Sequence, residues 1–209
     1  MYLRLLSIAV VVVCALIGWQ FYTGKTAYER LQEAPHNQYL GAEKPALVIT
    51  YVMDYRCAFC KQMHGDIQAA LKDNPDLRII FRVYPINRKD SIHEAKMAMA
   101  ASKQGHFKDM HDFLILHQDP VTKPELEQFM FGVGLDKDLF YKDMTSWAAT
   151  KDLLDSASAV EALGIESVPV FIVGTNIYLP KEGQTPKEVL DNIISQYKSP
   201  PITADTTQP

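Results

Sequence analysis

Ala46 to Leu71 reads A-L-V-I-T-Y-V-M-D-Y-R-C-A-F-C-K-Q-M-H-G-D-I-Q-A-A-L, two hydrophobic periods joined at a pair of cysteines. Ala46 to Met53 is a nearly continuous apolar run of strand formers, the pattern of a strand buried on both faces. From Cys57 the period becomes helical. Cys60, Met63, Ile67, Ala70 and Leu71 make one stripe, and Asn74-Pro75 closes the segment. Leu77 to Tyr84 is a second strand, ended by Pro85. Strand, helix and strand at this spacing predict a βαβ unit and an α/β fold.

Downstream, Ser91 to Leu163 reads as helix throughout. Ser91 and Glu94 have the spacing of a capping box, as do Thr122 and Glu125 ahead of Leu126, Phe129, Met130 and Val133. Phe107, Met110 and Leu114 lie on another helix; Leu153, Ala157 and Val160 lie on a later one that stops at Gly164. These Met and aromatic stripes are read as core. Val168 to Val173 is a strand opened by Pro169. Gly174-Thr175-Asn176 supplies a turn, and Ile177 to Leu179 returns, which makes a hairpin. Thr185-Pro186-Lys187-Glu188 starts a last helix with Leu190, Ile193, Ile194 and Tyr197 on one face.

Upstream, the 20 residues between Arg4 and Lys25 carry no charge, enough for a helix of about 30 Å, the thickness of a bilayer core. Trp19, Phe21 and Tyr22 fall where an interfacial aromatic belt would lie. A cleaved signal peptide is the competing reading, but residues 17–22 offer no small-x-small site. Either way the chain enters a secretion pathway. The expected organisation is an anchor over 1–24, a linker or stalk over 25–44, and an α/β core over 45–90. An all-helical insertion over 91–163, the rest of the core over 164–197 and a disordered tail over 198–209 complete it. The 209 residues are 47% hydrophobic with a net charge of −4, and they hold no long basic run, which argues against a nucleic-acid partner.

Of three cysteines, Cys14 lies in the apolar N-terminal run and the other two form the C-x-x-C pair. A c-type haem site needs His directly after the second Cys, where Lys61 stands. A zinc knuckle needs two more ligands, and His64 is the only nearby candidate. His36, His93, His106, His111 and His117 are scattered and read as surface or helix decoration. No metal and no cofactor is expected. Thiol exchange fits the context better. Cys57 opens the helix, where free N–H groups and the helix dipole favour a thiolate, and Arg56 and Lys61 add positive potential. Ala58 and Phe59 add no polar hydrogen bond of their own. Cys60, one turn on, falls on the apolar stripe and is expected to be buried, as a resolving sulfur should be. Val168-Pro169 admits two readings. A cis peptide would present backbone to a substrate beside the sulfurs; a trans one would merely start an edge strand.

Taken together, Asp54-Tyr55-Arg56-Cys57-Ala58-Phe59-Cys60, Phe81-Arg82-Val83-Tyr84-Pro85, Gln104-Gly105-His106-Phe107 and Leu163-Gly164-Ile165 leading into Val168-Pro169-Val170-Phe171-Ile172 resemble the DsbA-like thioredoxin-fold oxidoreductases of bacteria. The resemblance covers about residues 45 to 197. It implies a thioredoxin fold interrupted by a helical insertion, Cys57 as nucleophile, Cys60 as resolving cysteine, and a substrate-contacting cis-Pro169 with Val168 before it. The chain departs from that pattern in two places. Ala58 replaces a common proline, and Tyr51 stands where thioredoxin-like proteins often bury an acid. The reading is a membrane-anchored protein thiol:disulfide oxidoreductase on the periplasmic face of a bacterial inner membrane. Its partners are exported proteins with thiols or disulfides and a membrane redox partner. An isomerase or reductase kept reduced by a membrane donor, with 25–44 as an oligomerising stalk, is the enzymatic alternative. A periplasmic chaperone or assembly factor is the alternative from another class.

Overall fold

Strand β2 (Leu47–Met53) runs through the middle of a five-stranded sheet of order β1-β3-β2-β4-β5. The computed structural model describes residues 25–33, 38–86 and 89–198. β2 pairs in parallel with β3 (Leu77–Val83) and antiparallel with β4 (Val170–Val173). β1 (Tyr39–Gly41) and β5 (Asn176–Tyr178) are antiparallel edges on β3 and β4. Helices follow in chain order: α1 (Ala27–Gln32), α2 (Ala58–Asp73), α3 (Lys89–Lys103), α4 (Phe107–Leu116), α5 (Lys123–Val133), α6 (Lys137–Met144), α7 (Trp147–Ala162) and α8 (Pro186–Lys198). The crossover from β2 to β3 is α2 alone, whereas five helices, α3 to α7, stand between β3 and β4.

The sheet is covered on both faces, which is why β2 reads as an unbroken apolar run. Ile49, Tyr51 and Met53 pack into one core with Met63 and Ile67 of α2 and Leu190 and Ile193 of α8. Val52, pointing the other way, joins Val170, Ile172, Leu31 of α1 and Val160 of α7. Alternation along one strand thus feeds two cores. The expected helix starts at Thr122 and Thr185 are present: the Glu125 carboxylate accepts the Thr122 N–H at 2.8 Å, and that of Glu188 accepts the Thr185 N–H at 2.8 Å. Tyr197, expected on the buried face of α8, is exposed.

Two further expectations need correction. Residues 25–33 and 38–41, inside the expected linker or stalk, form part of the fold. Thr26 caps α1 in a capping box with Glu29, and Leu31 is fully buried. The buried Arg82 guanidinium donates to the carbonyls of Leu31 and Arg30 at 2.9 and 2.5 Å, and the Gln32 amide donates to the Gly174 carbonyl. β1 then adds an edge to the sheet. At Gly41, with φ of 101°, a Cβ would lie 2.2 Å from the Leu77 carbonyl oxygen, so only glycine admits this approach. Second, Ser91 and Glu94 are no capping box, because α3 begins at Lys89. Both side chains are buried and serve the residues around Cys57 instead. The anchor expected over 1–24 and the tail beyond Lys198 lie outside the described residues. Among the described residues no helix is long and apolar enough to cross a membrane.

Candidate active site

At the end of β2 the chain turns through Asp54, Tyr55 and Arg56 and enters α2 with Cys57 as its N-cap. Asp54, fully buried, organises the turn. Its carboxylate accepts the Arg56 N–H at 2.7 Å, the Ile86 N–H at 2.7 Å, and the Ser91 hydroxyl at 2.7 and 2.8 Å from its two oxygens. The loops after β2 and β3 and the start of α3 are thereby tied to one side chain. Tyr55 is also fully buried, with its hydroxyl 3.1 Å from His111 Nδ1 on α4.

Cys57 is part-exposed, and its Sγ accepts the Cys60 N–H at 3.4 Å, the ordinary bond of a side chain capping a helix start. The Cys60 thiol beside it, and then the N–H groups of Cys60 and Phe59, lower the Cys57 thiol to about 7, against burial and the Asp54 charge. Cys60 is 1% exposed, and burial, followed by the neighbouring Cys57 sulfur, holds its thiol far above the usual range. The asymmetry expected from the helix start and the apolar stripe is therefore present: one accessible acidic thiol, one buried thiol that stays protonated.

Arg56 and Lys61 also hold the fold around the site. Arg56 reaches the Gln118 carbonyl at 2.8 Å and the Glu94 carboxylate at 3.4 Å, and the Lys61 ammonium donates to the His117 carbonyl. They pin the start of α2 to the segment after α4; the principal influences that lower Cys57 are local N–H and S–H groups. Glu94 is 2% exposed, and burial, opposed by Arg56 and Lys61, raises its carboxyl to about 7.

The Val168–Pro169 peptide is cis. It precedes β4, the neighbour of β2 in the sheet, and this brings the Val168 carbonyl to 3.7 Å from Cys57 Sγ. Sequence reasoning named both members of this contact. Ala58 and Phe59 are exposed on the helix start, Phe59 by 60%. Phe59 and Met63 line a groove of about 350 Å³ whose far wall is residues 184–187.

Tyr51 stacks on Phe171 at 5.1 Å between ring centroids and meets Phe81 edge-on at 5.9 Å. Its hydroxyl is buried next to Cys60. Burial first, and the Cys60 sulfur next, push the phenol well above its usual range, so it stays neutral and presents a hydroxyl where an acid would present a charge. Sequence reasoning missed Asp54, Ser91 and Glu94 as parts of the site, and it read His111 as decoration. Their polar character marks them as exposed in any local pattern, and only the fold shows what they serve.

The thioredoxin family model matches residues 33–195. Among solved structures, a thioredoxin-like oxidoreductase from Silicibacter pomeroyi superposes with a TM-score of 0.69 at 23% identity, covering 82% of this chain and 98% of that one. The thiol-disulfide exchange protein alpha-DsbA2 of Wolbachia pipientis gives 0.64 at 25% identity, covering 76% and 85%. Among curated proteins, a Na(+)/H(+) antiporter NhaA 3 of Salinispora tropica is 27% identical over 133 residues, 63% of this chain but only 20% of the antiporter. The chain thus spans about a fifth of the length of that relative, and the likeness is one of domains. With the C-x-x-C at the head of α2, the cis-proline beside it and a match over most of its length, the chain belongs to the thioredoxin family.

Proposed function

We propose that this protein is a thiol:disulfide oxidoreductase whose Cys57–Cys60 pair exchanges with thiols of exported proteins on the periplasmic side of a bacterial inner membrane, held there by residues 1–24. The observation that carries the reading is the pair itself: a part-exposed Cys57 lowered to about 7 in front of a Cys60 that is 1% exposed. In the oxidising direction a client thiolate attacks Cys57 Sγ, the Cys57–Cys60 bond breaks, and Cys60 leaves and takes up a proton. A second client thiolate then attacks the client sulfur of the mixed disulfide and expels Cys57 as thiolate. Two electrons pass from the client to the pair, and a membrane oxidant must remove them. A stabilised Cys57 thiolate favours the reduced pair by roughly 30 mV for each pKa unit below the ambient pH, so a thiol at about 7 gives only a mild oxidising push near neutrality. Through its carbonyl, Val168 offers a backbone acceptor beside the sulfur for an extended client.

The test is turnover of a reduced peptide by the oxidised full-length chain. Wild type is expected to oxidise it, Cys57→Ser and Cys60→Ser to be inactive toward it, and Cys60→Ser to be trapped as a mixed disulfide only when the peptide supplied already carries a disulfide that Cys57 can attack. Oxidation surviving in Cys57→Ser would overturn the exchange mechanism. For location, a periplasm-dependent reporter fused after residue 209 is expected to be active; activity only of a cytoplasmic reporter would overturn it.

A further inference from the structure

Behind the cysteines, helices α2 and α4 bring together three side chains that thiol exchange does not use. His64 lies one turn beyond Cys60 on α2, and His111 and Asp112 are neighbours on α4. One ligating atom from each lies within 4.8 Å of the others. We propose that His64, His111 and Asp112 form a binding site for a single divalent transition-metal cation of the zinc class.

His64 Nε2 and Asp112 Oδ1 face each other at 3.7 Å, too far for a hydrogen bond. Two ligands at about 2.0 Å from a tetrahedral zinc lie roughly 3.3 Å apart, so small side-chain rotations would close the gap on an ion. Asp112 Oδ1 is buried and has no hydrogen-bond partner, a state that buried polar atoms rarely keep. The other carboxylate oxygen is held by the Lys108 ammonium on the same helix, which fixes the aim of Oδ1.

His111 is the back wall. Its ring packs 4.3 Å from the Phe81 ring and 5.7 Å from that of His64, and Tyr55 occupies its Nδ1. This leaves Nε2 as the ligating nitrogen, with Tyr55 Oη accepting from Nδ1–H, the usual outer partner of a metal-bound imidazole. The His64 and Asp112 side chains are 13% and 26% exposed and form the entrance. Two imidazole nitrogens and one carboxylate oxygen suit zinc, cobalt, nickel or copper; calcium and magnesium need oxygen ligands throughout.

The experiment uses the untagged full-length chain with Cys57 and Cys60 oxidised and Cys14 alkylated, so that no thiol can hold metal. Titration with Co(II) is expected to develop visible absorption that saturates at one equivalent and is displaced by Zn(II). His64→Gln and Asp112→Asn, both at the rim, are expected to keep the wild-type circular dichroism and to weaken Zn(II) binding by about tenfold or more. The absence of saturable binding would overturn the site. Equal affinity in the folded His64→Gln/Asp112→Asn double variant would place the ion elsewhere, and competition by Mg(II) or Ca(II) at similar concentration would overturn the ligand class.

Discussion

The Sγ of Cys57 lies 3.7 Å from the carbonyl oxygen of Val168, 111 residues further along the chain. Cys57 is part-exposed there, while Cys60 stays covered. In the reduced full-length chain, alkylation is therefore expected at Cys57 with a rate that follows its thiolate, half-maximal near pH 7, while Cys60 reacts far more slowly. Peptide mapping resolves the sites, and preferential labelling of Cys60 would reverse the roles. The same shift acts on folding. The folded thiol is more acidic than the unfolded one, so its contribution to the reduced form is fully present above the unfolded value and is lost as pH falls through about 7.

Asp54 accepts from two backbone N–H groups and the Ser91 hydroxyl inside the protein. Asp54→Ala leaves the buried Ser91 hydroxyl and two part-buried N–H groups without this acceptor, at up to about 1–3 kcal/mol each before relaxation. A loss of about 3–5 kcal/mol in urea denaturation is expected, with Asp54→Asn in between. A loss under about 1 kcal/mol would show that the turn is held from elsewhere.

Glu94 titrates the other way from Cys57. Burial raises its folded value to about 7, above the unfolded carboxyl, so its contribution is fully present below the unfolded value and is lost as pH rises through about 7. Wild type is expected to lose up to about 3 kcal/mol relative to Glu94→Gln across that window. Arg56 keeps the Gln118 carbonyl in the variant. Parallel stability–pH curves for the two proteins would contradict the shift.

At Gly41 the sheet edge approaches its neighbour too closely for a side chain. Gly41→Ala is expected to cost about 2–4 kcal/mol and to release β1, raising hydrogen exchange at the Ala42 amide that now donates to Leu77. Unchanged protection there would mean that β1 tolerates a different docking.

What the sequence made legible was whatever local periodicity encodes. The apolar run of β2, the Cys57 helix start, the stripe of α2 and the caps at Thr122 and Thr185 all follow from neighbours a few residues apart. Tyr39–Gly41 escaped because a three-residue strand with one buried residue, Leu40, carries no period. Ser91 and Glu94 had the spacing of a local cap, yet partners 37 and 38 residues upstream claim them. His111 was misread because a buried neutral imidazole among Phe81 and Phe107 is indistinguishable, in sequence, from a surface one.

Helix α1, glued to the body through Leu31 and the Arg82 guanidinium, determines how far the domain can stray. With residues 1–24 as the proposed anchor, only Lys25 and Thr26 separate it from a helix that is already part of the fold. Two residues reach about 7 Å, a leash shorter than the domain is wide. An enzyme so anchored would patrol the plane of the membrane rather than the volume beside it.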